Sequence, residues 1–271
     1  MTTLIKPATS SRPPAVAGLF YPDDPGVLRR EVQQFVAAAG PPDRAAPAPK
    51  ALIAPHAGYV YSGPSAGHAY SRLVPHAARI RRVILLGPVH RVPVRGLALP
   101  SADRFQTPLG SVEIDREAVA LLRDLPQIVI SDGAHAAEHS LEVHLPFLQQ
   151  VLGRFTLVPL AVGDATPDEV AEVLARLWGG EETLIVVSSD LSHYHDSATA
   201  RTLDAVTTAA IEALRPEGLD EDSACGRVPV RGLLVGARAH GLTARTLDLR
   251  TSGDTAGPRN RVVGYGAYVF A

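Results

Sequence analysis

A single cysteine, Cys225, and only two lysines, Lys6 and Lys50, stand in a chain of 271 residues. One thiol allows no intramolecular disulfide, which excludes a secreted, disulfide-stapled fold. Cys225 is then a buried hydrophobe, a reactive thiol or a ligand. The opening stretch MTTLIKPATSSRPP lacks the apolar run of roughly 7–15 residues that a signal peptide needs, and no later run approaches the about 20 of a membrane span. A cytoplasmic location without a membrane partner is the expectation. The 26 basic and 28 acidic residues are spread along the chain, leave a net charge of −2, and form no basic stripe. Nucleic acid is therefore not an expected partner. Phosphate-binding glycine loops are missing too: there is no GxxxxGK[ST], and no GxGxxG follows a strand. Ser62-Gly63-Pro64-Ser65-Ala66-Gly67 lacks the spacing of a serine-hydrolase elbow.

What the chain does have is a large apolar share, 46%, enough for a substantial core. Residues 1–13 read as a loose tail, and residues 14–271 as one domain. Val27 to Ala39 carries a helical pattern that ends at Gly40, and Gly40 to Pro49 reads as an extended surface loop. From Lys50 onward, short aliphatic runs without alternation recur: Ala51 to Ala54, Arg82 to Gly87, Phe155 to Val162 and Thr183 to Ser188. Runs of that kind suit strands buried on both faces. Between them lie amphipathic segments, Asp115 to Leu125, Ser140 to Leu152 and Thr166 to Trp178, the last opening with a capping box. Helices over Ser197 to Leu214 and Val230 to His240 precede final strands at Arg245 to Leu249 and Arg261 to Phe270. The alternation predicts an α/β fold, a single domain with a mainly parallel sheet covered by helices.

Three of the buried strands run into the same kind of loop, Pro55-His56-Ala57-Gly58, Pro88-Val89-His90 and Ser189-Asp190-Leu191-Ser192-His193. Each puts a histidine past a strand's carboxyl end, where ligands bind in open α/β sheets because successive loops converge there. The imidazoles could serve as metal ligands, as general bases or as both. Asp190 and His193 are three apart, so one helical turn would bring them to the same side; alternatively Asp190 caps the turn that follows. The stretch Glu138-His139-Ser140-Leu141-Glu142-Val143-His144 is not a zinc helix by spacing. Its histidines are five apart, whereas HExxH holds them four apart on one face. His139, at the helix entrance, is taken as a pocket-lining residue.

Five stretches in order, APHAGYVYSG (Ala54 to Gly63), LGPVHRVP (Leu86 to Pro93), EHSLEVHLPF (Glu138 to Phe147), SSDLSHY (Ser188 to Tyr194) and ACGRVP (Ala224 to Pro229), resemble the Memo family. Its microbial members are also called protein B of the AmmeMemoRadiSam system. The resemblance runs over about Pro14 to Phe270. It implies a fold similar to class III extradiol ring-cleaving dioxygenases and a pocket in which two histidines and one cysteine bind iron or copper, with zinc as a further candidate. On the matching motifs, the implied ligands are His56, His90 and Cys225. Asp190 and His193 are implied to line the site as proton-handling catalytic residues, with His139 near the pocket. Arg91 is a departure, since animal members carry a second histidine there.

A Ser-Ala-Cys-Gly turn ahead of a helix would place Cys225 well for a lowered pKa, and a bound metal would deprotonate it. Non-haem iron oxygenases generally use two histidines and a carboxylate; a thiolate in that position suits copper(I), zinc or a redox role. The leading expectation is thus a metal-binding protein with a redox or oxygen-related role on an unknown small molecule. One alternative is an extradiol-type dioxygenase acting on an aromatic substrate, with His193 as acid/base. Another is a non-catalytic binding module for a peptide or for the system's radical-SAM protein.

Overall fold

The computed structural model describes residues 10–41 and 45–271. The expected tail does not reach residue 13 as loose chain: Ser11–Arg12 forms a short strand, β1, with Arg12 buried. Residues 1–9 of that tail, and residues 42–44 of the expected surface loop, lie outside the described residues. The first helix, α1 (Pro25–Ala38), starts where the Asp24 side chain accepts from Val27 N at 2.8 Å, with proline in the first turn. It stops ahead of Gly40, whose φ of +84° no helix continues.

After β2 (Ala51–Ala54) comes a helix that local pattern does not announce, α2 (Tyr59–Ser71). Gly63, Pro64 and Gly67 all lower its intrinsic propensity. Packing against α1 explains the glycines: a Cβ on Gly67 would sit 2.3 Å from the carbonyl oxygen of Phe35, and one on Gly63 2.4 Å from the Phe35 ring. Gly67→Ala should therefore destabilise the protein by about 1–3 kcal/mol through overpacking. Helix propensity alone predicts a gain, so the sign of the change in a urea-unfolding midpoint decides between the two effects.

The chain continues through β3 (Arg82–Pro88), β4 (Leu97–Leu99), the hairpin β5 (Arg104–Thr107) and β6 (Gly110–Ile114), α3 (Arg116–Ala120), β7 (Ile128–Ile130) and α4 (Asp132–Ala136). Then follow α5 (Leu145–Leu152), β8 (Thr156–Val162), α6 (Pro167–Leu177), β9 (Thr183–Ser188), β10 (His193–His195), α7 (Ser197–Glu212), α8 (Arg227–Ala239), β11 (Ala244–Thr251) and β12 (Val262–Phe270). The expected capping box is present at α6, where Thr166 and Glu169 bond reciprocally. Two helices are shorter than their patterns. Asp115 caps α3 through Ala118 N (2.9 Å), and α-helix resumes after His139 only at Leu145. The intervening chain tightens into a 3₁₀ turn at Glu142–His144, because Ser140 is drawn to Pro88 O (2.7 Å) and Glu142 turns inward to Arg12.

The centre of the sheet runs β6-β8-β3-β9-β2, all parallel, with β12 joining antiparallel to β2 and carrying β10 and β11. This is the α/β domain with a mainly parallel, mixed sheet. The helices α1, α2 and α5 pack together on the β2 and β12 side, and α8 packs with α6 against β3 and β9. Register fixes the functional edge: Ala54 lies opposite Ser188 and Val187 opposite Leu86, so β2, β9 and β3 leave the sheet nearly level.

Candidate metal centre

All three level strands release a polar residue within four positions of their ends: His56 after β2, Asp190 after β9 and His90 after β3. Their rings and carboxylate meet a fourth residue, His139, from the loop after α4. The ring centroids lie 5.2 Å apart for His56 and His90, 5.3 Å for His56 and His139, and 4.6 Å for His90 and His139, the last pair stacked. One ligand nitrogen from each of His56, His90 and His139 lies within 4.8 Å of the other two. Such a group could hold a metal ion.

Hydrogen bonds set the tautomers. The Ser188 hydroxyl donates to Ser140 O (2.6 Å), so toward His56 Nδ1, 2.6 Å away, it accepts. His56 then carries its proton on Nδ1 and keeps a lone pair on Nε2. Glu138 does the same for His90: its carboxylate takes the ring Nδ1 at 2.9 Å and the backbone N at 2.5 Å, leaving Nε2 free. A carboxylate behind a histidine is the usual outer partner of a metal-binding imidazole. His139 Nδ1 is buried without a hydrogen bond, although Glu138 Oε1 is 3.3 Å away. Stacked on His90 and close to His56, the His139 ring completes a set of three imidazoles that suits a bound cation.

Burial keeps two of the three rings neutral. Burial pushes the His56 pKa well below its ordinary value, and neighbouring His90 and His139 push it further. His139 is lowered as well, by burial against the pull of Glu138. Burial alone would raise Glu138, but bonds from the His90 ring and the Ser140 and His90 amides carry it down to about 2. The result is an ionised Glu138 carboxylate beside unprotonated His56 and His139 rings, the protonation state a metal site requires.

Asp190 and His193 both line the pocket but do not pair along a helical turn, since His193 opens β10 instead. Asp190 Oδ1 accepts from His56 N at 2.7 Å, and His193 Nδ1 faces Leu191 O at 2.7 Å. Burial raises the Asp190 carboxyl despite that amide bond. Cys225 lies behind the cluster: its Sγ is 3.3 Å from His56 Nε2 and accepts from Asp190 N at 3.3 Å. Its pKa is not lowered, as the turn before α8 led one to expect, but raised, first by burial and then by the Asp190 charge. The cavity over the site has a volume of about 510 Å³ and is walled by His56, His90, His139 and His193, while Cys225 opens onto two smaller crevices instead. Two supporting residues, Glu138 and Ser188, open two of the stretches that resemble the family but were given no role from sequence.

A doubly covered α/β sheet with a histidine-walled, metal-type pocket at its carboxyl edge defines the class. The chain belongs to the Memo family: the model of that family, described as Memo-like protein, matches residues 12–269. A MEMO1 family protein of Methanothermobacter thermautotrophicus is 38% identical, with 94% of this chain and 98% of that protein covered. Those of Aquifex aeolicus and Methanopyrus kandleri are 37% and 39% identical, each over 96% of this chain and 98% of theirs. Among solved structures, an uncharacterized protein, JW3007, of Escherichia coli K12 shares the fold, with a TM-score of 0.51 at 14% identity over 79% of this chain and 98% of that one. Among the described residues, no helix is long and apolar enough to cross a membrane.

Proposed function

We propose that this Memo-family chain is a cytoplasmic protein that binds iron or copper in the histidine pocket and serves a redox or oxygen-related role on a small molecule. The observation that carries this reading is the pair of Nε2 lone pairs on His56 and His90, each fixed by an outer hydrogen bond, beside the unpartnered His139 ring. Bound iron or copper would supply reversible one-electron chemistry to the pocket. His56 and His90 form the invariable pair of ligands. The third is either His139, already within 4.8 Å of both, or Cys225, which must first give up the proton it holds against His56 Nε2. His193, partly buried in the cavity wall, is the group we assign to proton exchange with a bound molecule, and Asp190 orients His56 through its amide.

Metal titration with competition by a chelator tests this. His56→Ala and His90→Ala should each lower iron or copper affinity by at least about 100-fold, since losing only the outer partner of a ligand already costs about 10–100-fold. His139→Ala and Cys225→Ser identify the third ligand by which of them matches that loss. A wild-type protein that takes up neither metal, with zinc run alongside, sinks the reading. A spacious cavity beside His193 also supports ring cleavage as a second reading, and a panel of catechols presented to iron-loaded protein tests it. A radical-SAM partner would copurify with the tagged chain.

A further inference from the structure

The mouth of the pocket carries two features that holding a metal does not use. Arg91 and Arg261 both line the cavity and both are exposed, and neither makes an ion pair among the described residues. The one carboxylate in the lining, Asp190, is buried and already engaged by His56 N. Positive charge at the rim is thus uncompensated, in contrast to Arg95, Arg116 or Arg176, each paired with an acid. The second feature is Tyr194. Its φ of +65° is a left-handed conformation that a bulky side chain adopts only under constraint, and its ring is 64% exposed. Strain of this kind gathers at ligand sites. The ring lies against the Arg261 guanidinium, 4.7 Å from its carbon to the ring centroid. Stacking on a ring face holds a guanidinium in place and leaves its edge free to grip a carboxylate with two hydrogen bonds. Phe20, Tyr61 and Tyr265 add further aromatic wall to a cavity sized for one or two rings.

We propose that the pocket binds a small aromatic acid, its ring against these aromatic walls and its carboxylate on Arg261 and Arg91, with Tyr194 setting the position of Arg261. This deepens the functional reading above and rests on the same cavity, but it does not require the ion. Two guanidiniums at the rim select a negative head group, and the aromatic walls reward a flat apolar body over a bare anion.

The test is a nuclear magnetic resonance titration of the full chain, as purified and after chelator treatment, with benzoate, its neutral isostere benzamide, and acetate. Benzoate should bind at least about tenfold tighter than either of the others. Arg261→Gln should remove about tenfold of the benzoate affinity and leave benzamide unchanged. Tyr194→Asn, which accepts the left-handed backbone more easily, should keep or raise the melting temperature and still weaken benzoate severalfold. Benzamide or acetate binding as well as benzoate overturns the inference, as does an Arg261→Gln protein that binds benzoate normally. The two readings fail separately: a chain that takes up metal but not benzoate loses only this inference, and one that binds benzoate but no metal loses only the metal role.

Discussion

Arg12→Ala should lower the unfolding free energy by about 3–5 kcal/mol, the range for breaking one side of a buried ion pair. Arg12 is 6% exposed and Glu142 is fully buried. The Arg12 guanidinium donates to the Glu142 carboxylate, to His135 O at 2.9 Å and to Glu138 O at 2.6 Å. On the other side Glu142 also accepts from Ala15 N (2.7 Å), Val16 N (3.0 Å) and Tyr21 OH (2.6 Å). All three guanidinium nitrogens and both carboxylate oxygens are thus bonded, and removing the guanidinium strands a carboxylate in the core while freeing two carbonyls. Urea unfolding followed by circular dichroism measures the loss. Arg12→Met with Glu142→Leu should lose much less than the two single changes summed, because no charge is then left unpaired. A single Arg12→Ala loss below about 1 kcal/mol would show that water reaches the carboxylate and that the network is not sealed. The same change should also weaken metal uptake, since Arg12 grips the carbonyls on either side of the segment leading to His139.

The part of this architecture that reads from sequence is the part built from local pattern. Unbroken aliphatic runs gave β2, β3, β8 and β9 because a strand covered on both faces has no polar side to show, and the loops after β2, β3 and β9 pointed to the edge that carries the candidate site. The mixed periphery did not show. The strands β4 and β7 have three residues each, too few for a period to register, and α2 hides behind glycines whose purpose is contact with Phe35. In the site, His56, His90 and Asp190 were legible as strand-end residues, whereas the weight of His139 was not. Its place depends on Glu138 and on the inward turn of Glu142, both tertiary contacts to distant segments. The expectation for Cys225 failed for a related reason. A turn before a helix lowers a thiol pKa when the sulfur is open to the helix end, and here burial and the Asp190 charge outweigh that position. Arg12 fell within the expected tail, yet it forms part of β1 and is held by buried contacts to His135, Glu138 and Glu142.

Acid should destabilise this protein well before its carboxylates titrate. His135 and His144 are fully buried, and each has one ring nitrogen without a partner, Nδ1 of His135 and Nε2 of His144. The other nitrogens are bonded, His135 Nε2 to Ala98 O (2.9 Å) and His144 Nδ1 to Tyr70 OH (2.8 Å). A second proton would place a charge where nothing accepts it. Burial accordingly lowers His135 to about 4, against the pull of Ala98 O, and His144 to about 3, with His56 and His139 adding to the effect. The sign follows from which state takes the proton. Above about pH 6.5 both rings are neutral folded and unfolded, and the fold keeps its full stability. Between there and the folded values the unfolded chain binds protons that the native one refuses, so stability falls with pH by about 1.4 kcal/mol per unit for each ring. The integrated loss is roughly 3 kcal/mol for His135 and 5 kcal/mol for His144. Urea-unfolding curves between pH 7.5 and 4.5 should show this slope, and His135→Gln should reduce it by about 1.4 kcal/mol per unit, the share of one ring, whatever it does to stability at pH 7.5. A stability that stays flat from pH 6.5 to 4.5 would mean that both rings find acceptors on protonation, and that the core around them yields to water.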